Sequence, residues 1–303
     1  MLRSLLLFLS SQRRLRRWVE TSQLGRKLSS RFVAGETLDD ALRVSRRINS
    51  EGITLTLDHL GESVTSLDEA ARARDIYLEA LAAILNQNVR GNVSLKLTQF
   101  GLDLSADACR GNVAQLVEQA ARLGSFVRVD MESSAYTDRT IDLVEALHAQ
   151  YGSVGTVIQA YLYRSRKDIE RLNARRIRIR LCKGAYLESG TVAFPRKADV
   201  DRNYVELMKL LLNEGEYPAI ATHDQRIIEQ TKAYAAARGI APDRFEFQML
   251  YGIRRDLQKQ LVAAGYRMRL YVPFGEAWYP YFMRRLAERP ANLFFLARNL
   301  LRR

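Results

Sequence analysis

The 303-residue sequence is poor in the residues that staple or divide a chain. Its two cysteines, Cys109 and Cys182, have no CxxC or zinc-like spacing. That excludes a disulfide framework and a structural zinc module and suits a reducing compartment. Both lie in apolar patterns and read as inert core residues. Three histidines, His59, His148 and His223, are too few and too scattered to specify a metal site. Six prolines and no Pro/Gly/Ser-rich stretch leave no linker, so one domain plus an N-terminal extension is expected, divided as 1–31 and 32–303. No GxGxxG or Walker A loop follows the first strand-like segment, which argues against an open nucleotide-binding sheet. The longest apolar run near the N-terminus, Leu5–Leu9, is five residues, short for a signal peptide and far short of a membrane span.

Acidic residues are missing where basic ones are dense. Residues 1–31 hold eight Arg or Lys against one acid, Glu20, about half of the net charge of +13. Charge confined to one end suggests a local surface contact rather than nucleic-acid binding, which would spread it over a face with interleaved aromatics. Three readings of this end remain open: a mimic of a mitochondrial transit peptide, a basic amphipathic helix at a membrane surface, or a helix packed on the domain with its arginines in water.

Hydrophobic residues make up 47% of the chain, enough for a large core. Short alternating or apolar runs predict eight strands: Ile53–Leu60, Asn92–Phe100, Phe126–Glu132, Thr156–Leu162, Ile177–Cys182, Ala219–Asp224, Phe245–Leu250 and Met268–Val272. Helical spacing fills the intervals over Glu69–Asn86, Ala106–Leu123, Thr137–Gln150, Arg166–Arg175, Asp201–Leu212, Arg226–Arg238 and Arg254–Ala264. Ser66 or Asp68, Ser105, Thr137 and Ser165 stand where helices should be capped, and Gly124, Gly152, Gly239 and Gly265 where they should stop. Eight βα units in series predict an α/β fold, a (βα)8 TIM-type barrel with additional N-terminal helices.

The predicted strands end, in order, in Asp58, Lys96, Asp130, Gln159, Arg180 with Lys183, Thr222 with His223 and Asp224, Gln248, and Tyr271. Alone, each has a structural explanation: Lys96 can snorkel, Asp130 can cap a helix, Gln159 can satisfy a backbone group. In a barrel these ends share one mouth, where active sites lie. After the last strand a Pro273/Gly275 turn leads into a predicted helix on which Tyr281, Arg284, Arg285 and Glu288 share a face at i, i+3, i+4 and i+7. Paired guanidiniums suit a carboxylate, and Tyr271 and Tyr281 could wall the same pocket for an amino acid. The competing reading is a solvated helix with Arg284–Glu288 pairing.

These residues carry a resemblance. The segments SLKLTQ (94–99), VRVDME (127–132), IQAYLYR (158–164), IRLCKGAY (179–186), ATHD (221–224), FEFQML (245–250), LYVPFG (270–275) and YFMRRLAE (281–288) occur in this order from about Phe32 to the end. The chain thereby resembles the proline dehydrogenases, FAD-dependent barrels that oxidise L-proline. The resemblance implies that Lys96, Arg284 and Arg285 hold the substrate carboxylate. It implies that Tyr186, Tyr271 and Tyr281 line the ring pocket and that Glu288 steadies the arginines. Asp130 and Arg180 match catalytic positions, with Arg180 near the flavin N5. Met131, Gln159, Lys183, Gly184, Ala185, Thr222, His223 and Leu250 match FAD-binding positions.

The resemblance further implies hydride transfer from C5 of proline to N5, giving Δ1-pyrroline-5-carboxylate, with electrons passed to a membrane quinone. A cytoplasmic protein peripheral to the inner face of the cell membrane follows. Many bacterial members are fused to an aldehyde dehydrogenase; 303 residues leave no room for one, so a separate pyrroline-5-carboxylate dehydrogenase is expected as partner. Cys182, where valine is common, and Leu187, where some members have tryptophan, are departures that should leave activity intact. The alternative enzyme class is a Schiff-base aldolase-type barrel using Lys96 or Lys183.

Overall fold

The computed structural model describes residues 30–61 and 63–279. The basic stretch before residue 30, together with Tyr281, Arg284, Arg285 and Glu288, lies outside the described residues. A helix α1 (Leu38–Ser50) precedes eight strands and seven further helices: β1 (Thr54–His59), α2 (Leu67–Asn86), β2 (Gly91–Leu95), α3 (Ala106–Arg122), β3 (Val127–Val129), α4 (Thr137–Tyr151), β4 (Val154–Gln159), α5 (Ser165–Asn173), β5 (Ile179–Cys182), α6 (Lys197–Glu214), β6 (Ala219–Ala221), α7 (Gln225–Ala237), β7 (Glu246–Leu250), α8 (Arg255–Ala263) and β8 (Arg267–Phe274). All strands run parallel in sequence order, and β8 pairs with β1 to close the barrel. The predicted (βα)8 architecture is the observed one.

Alternation along the strands separates two environments. Leu55, Leu57, Val93, Leu95, Val127, Val129, Ile179, Leu181, Phe247, Met249, Met268 and Leu270 belong to one buried apolar cluster with the helices. Helix α3 buries Cys109, Val113, Leu116, Val117 and Ala120, the i, i+4, i+7, i+8 stripe of an amphipathic helix. The intervening strand residues are polar and bond one another across the barrel: Thr56 to Asn92, Ser94 to Asp130, Arg180 to Asp130 and Gln248. The apolar face therefore drives folding, and the other face is left for a hydrogen-bonded interior.

Boundaries differ from expectation at the strand ends. β2 stops at Leu95 and β3 at Val129, although apolar residues continue to Phe100 and Met131. Beyond those points the carbonyls turn inward to local partners, as in Gln99 N–H to Lys96 O and Phe100 N–H to Leu97 O. β8 instead runs through Pro273 to Phe274, and the bend comes at Gly275, whose φ of 116° suits glycine. β7 ends at Leu250 opposite Tyr271, so Pro273 interrupts no β7 ladder.

Two of the four predicted caps are absent. Ser66 and Ser105 do accept N–H bonds from Glu69 and Ala108. Thr137 follows a 3-10 turn, Ser134–Tyr136, and caps nothing; Ser165 sends its hydroxyl to Gln159 O instead. Helix α1, outside the predicted segments, starts in a capping box in which Asp40 N–H donates to Thr37 Oγ1 and Thr37 N–H to Asp40 Oδ2. Cys109 is buried, and burial pushes its thiol up to about 12, so it is inert. Cys182 is half-buried at the end of β5, packed against the core but not sealed within it.

Candidate active site

The C-terminal ends of the strands converge as the βα order demands. At the centre lies Asp130, one residue past β3, which accepts three bonds. Ser94 Oγ and Arg180 Nη1 donate to Oδ1 at 2.5 and 2.7 Å, and Tyr271 OH donates to Oδ2 at 2.7 Å. Arg180 is locked further by donating Nε to Gln248 Oε1 at 2.6 Å and by lying 5.2 Å from the Tyr271 ring centroid. Both charged side chains are largely buried, Arg180 8% and Asp130 11% exposed, which makes the pair strong but dependent on complete hydrogen bonding. Burial, then the nearby Asp130 and Asp58 charges, hold the Tyr271 phenol well above its usual range, so it serves as a neutral donor.

Next to this group Lys96 Nζ lies 3.2 Å from Asp58 Oδ1. Asp58 is fully buried at the end of β1, and Tyr77 OH from α2 reaches Oδ1 at 3.4 Å. Burial raises the Asp58 carboxyl's pKa, and the Lys96 charge opposes that rise without cancelling it. Lys96, Asp130, Arg180 and Tyr271 thus share one polar centre, as expected.

A second group sits where β5 and β6 end. Lys183 Nζ bridges Asp201 of α6 at 2.5 Å and Asp224, the N-cap of α7, at 2.9 Å. Burial alone would raise both carboxyls; Lys183, helped by Lys197, overcomes it and holds them below the usual range. His223 Nε2 accepts Leu250 N–H at 2.9 Å, tying the end of β6 to β7, while Thr222 is buried beside it. Gln159, at the end of β4, donates to Glu132 O at 2.8 Å with Met131 buried alongside. Gly184 has a φ of 112°, and a Cβ there would stand 2.4 Å from the Tyr161 ring, so only glycine lets the loop pass. Ala185 and Tyr186 follow, half-buried, in the same loop.

All the expected residues within the described range therefore lie at one rim, in two neighbouring groups. Sequence reasoning did not assign roles to Asp58, Ser94, Tyr77, Asp201 or Gln248. Asp58 and Gln248 stood at strand ends and could have been chosen; Ser94 faces inward one position pair before Lys96. Tyr77 and Asp201 come from helices, and no local pattern marks them.

The sequence pattern of proline dehydrogenase matches residues 41–298. The chain belongs to the proline dehydrogenase family. It is 44% identical over 270 residues to proline dehydrogenase 2 of Bacillus subtilis, covering 89% of each chain. It is 42% identical to proline dehydrogenase of Deinococcus radiodurans, covering 93% of this chain and 94% of that one. Among solved structures, proline utilization A (PutA) from Bdellovibrio bacteriovorus inactivated by N-propargylglycine superposes with a TM-score of 0.81 at 28% identity, over 86% of this chain. This chain spans 32% of that protein. The family is one of flavin-dependent oxidoreductases, which decides against the aldolase reading. No helix among the described residues is long and apolar enough to cross a membrane.

Two outcomes are expected. Asp130→Ala leaves the Arg180 guanidinium buried without its carboxylate and should cost about 3–5 kcal/mol, read from urea unfolding. The Lys183 cluster contributes stability while Asp201 and Asp224 are ionised. Their folded pKa values are depressed, so the contribution is present above the unfolded value near 3.8 and is lost as pH falls below it. The wild-type melting temperature should therefore fall more steeply than that of Lys183→Met as pH is lowered through 4 to 3; parallel curves would refute the pairing.

Proposed function

We propose that the chain oxidises L-proline to Δ1-pyrroline-5-carboxylate with FAD as oxidant, that a membrane quinone receives the electrons, and that a separate dehydrogenase consumes the product. The observation that carries this is the Asp130–Arg180–Tyr271–Lys96 centre at the barrel mouth of a proline dehydrogenase family member. The residues present suit a flavin. Lys183, Thr222, His223 and the Gln159 amide form a polar donor set beside apolar Met131 and Leu250, and the Gly184 loop passes with no Cβ in the way. Those residues and Ala185 would hold FAD, with Arg180 beside its ring system.

When bound, FAD would supply the two-electron oxidant for hydride removal from proline C5. The chain's own groups bind and orient. Lys96, with Arg284 and Arg285, grips the carboxylate; Tyr186, Tyr271 and Tyr281 enclose the ring; Glu288 steadies the arginine pair. Cations this close also disfavour the ammonium form of the substrate amine, so the nitrogen sheds its proton before oxidation. Asp58 holds Lys96 in place from below, and Asp130 does the same for Arg180 and for the Tyr271 hydroxyl. A rigid first layer of this kind converts binding energy into orientation. The basic segment 1–31 would bring the protein to anionic lipid, where each Lys or Arg near the surface contributes about 1 kcal/mol.

The purified protein should be yellow, absorbing near 450 nm, about where flavins do, and should bleach when L-proline is added without oxygen. A colourless protein that takes up no added flavin would defeat the proposal. Arg285→Met should raise KM for proline by about ten- to a hundred-fold, the loss of one charge-assisted bond; an unchanged KM would remove the clamp assignment. Deleting residues 1–31 should abolish pelleting with anionic liposomes at low salt, whereas equal pelleting would place the anchor elsewhere.

A further inference from the structure

The opposite end of the barrel holds a second polar site that proline oxidation does not use. A cavity of about 470 Å3 opens at the N-terminal mouth, lined among others by Arg90, Arg128, Arg178, Arg269, Ser125 and Tyr217. Four guanidiniums face one carboxylate there, Glu246. Glu246 is already occupied: Oε1 accepts Arg269 Nε at 2.8 Å and Gln248 Nε2 at 2.5 Å, and Oε2 receives Tyr217 OH at 3.4 Å. Among the described residues the Arg90 guanidinium donates to a carbonyl, Asn49 O, and Arg178 stacks over Phe126 and Tyr217 at 5.3 and 5.5 Å.

Arg128 is the informative member. It is 5% exposed, lies over the Phe126 ring at 4.9 Å, and among the described residues has no carboxylate in ion-pair contact, although the Glu246 and Asp130 charges act on it from farther off. Nη1 donates to Thr156 O and Arg178 O, while Nε and Nη2 make no hydrogen bond to a described residue. Burial, then repulsion from Arg180, pulls its pKa well below the usual guanidinium range; Glu246 opposes the fall without cancelling it, and Arg269 adds to it. The Ser125 hydroxyl at the same cavity is buried with no hydrogen-bond partner among the described residues. The arrangement is built rather than incidental. Gly155 leaves the space: a Cβ there would stand 2.3 Å from Arg178 O and 3.1 Å from Arg128 Nη1. Tyr217 adopts φ 45°, a left-handed conformation that an aromatic residue rarely takes, and sits against Arg178 and Arg267.

We propose that the N-terminal mouth of the barrel binds a small dianionic oxyanion, of the phosphate-ester or short-dicarboxylate class, through Arg128 and Arg178 with Arg90 at the rim. A buried cation with no carboxylate in contact is costly, and forked donors left free match planar or tetrahedral oxyanions. The cavity is within the range that small ligands fill. The site is at the opposite end of the barrel from the Asp130–Arg180 centre, so the proposal does not rest on the reaction carried out there.

The test is thermal shift of the full-length protein with inorganic phosphate or succinate at constant ionic strength and saturating L-proline. Wild type is compared with the Arg90→Gln Arg178→Gln double variant, whose changes lie at exposed positions and should leave proline oxidation unchanged. A saturable rise in melting temperature in wild type, shifted to about ten- to a hundred-fold higher ligand concentration in the variant, is expected. The tighter of the two probes distinguishes a phosphate ester from a dicarboxylate. Anomalous scattering from selenate soaked into crystals should peak in this mouth within hydrogen-bond distance of Arg128. No saturable response to either probe, an equal response in the variant, or selenate found only elsewhere would each overturn the proposal.

Discussion

The buried Asp130–Arg180 pair is the constraint around which the barrel mouth is built. A charge pair at this depth is stable only when nearly every donor and acceptor is matched. Four strands supply the matching groups: Ser94 from β2, Arg180 from β5, Gln248 from β7 and Tyr271 from β8 all point at or beside the carboxylate. None of these can shift alone without leaving a buried group unpaired. Neighbouring side chains inherit this rigidity. Tyr271, fixed by its hydroxyl, presents its ring as a wall, and Arg180 presents a cation whose direction is set before any ligand arrives.

The polar interior also connects the two ends of the barrel. From Arg180 the bonds run to Gln248, on to Glu246 and then to Arg269, which reaches Leu55 O and Asn92 at the far mouth. Burial would raise the Glu246 carboxyl, but Arg269, the Gln248 bond and the Arg128 charge together outweigh it and keep the group ionised. An apolar filling would hold the strands together with less electrostatic risk. The charged filling instead gives each mouth oriented cations, and the stability has to come from the outer apolar faces of the strands against the helices.

Much of this was legible in the chain because barrel folds are locally encoded. Strand and helix alternate with short connections, so periodicity alone separated Thr54–His59 from Leu67–Asn86 and predicted the order that closes the barrel. The rim residues Lys96, Asp130 and Gln159 are legible because each follows its strand's last apolar position, whereas Arg180 and Tyr271 are polar positions alternating with apolar ones inside β5 and β8. The misreadings have local causes as well. Thr137 and Ser165 look like caps, but each is displaced by a turn whose partners lie elsewhere in the fold. Helix α1 lies outside the predicted segments although Ala41, Leu42, Ser45 and Ile48 share its buried face and Thr37 with Asp40 caps its start.

By itself the sequence determined the series of eight βα units, the basic character of the first 31 residues and the polar residue at each strand end. These depend on spacing and composition, which a linear chain displays. Only the tertiary structure decided that Tyr77 and Asp201, carried on helices, complete the surroundings of Asp58 and Lys183. It alone decided that Arg128 faces a cavity with no carboxylate in contact with it among the described residues. Such pairings join residues between 18 and 50 positions apart. They exist because closure of the sheet brings strand ends and helix faces within bonding distance, and closure is a property of all eight strands together.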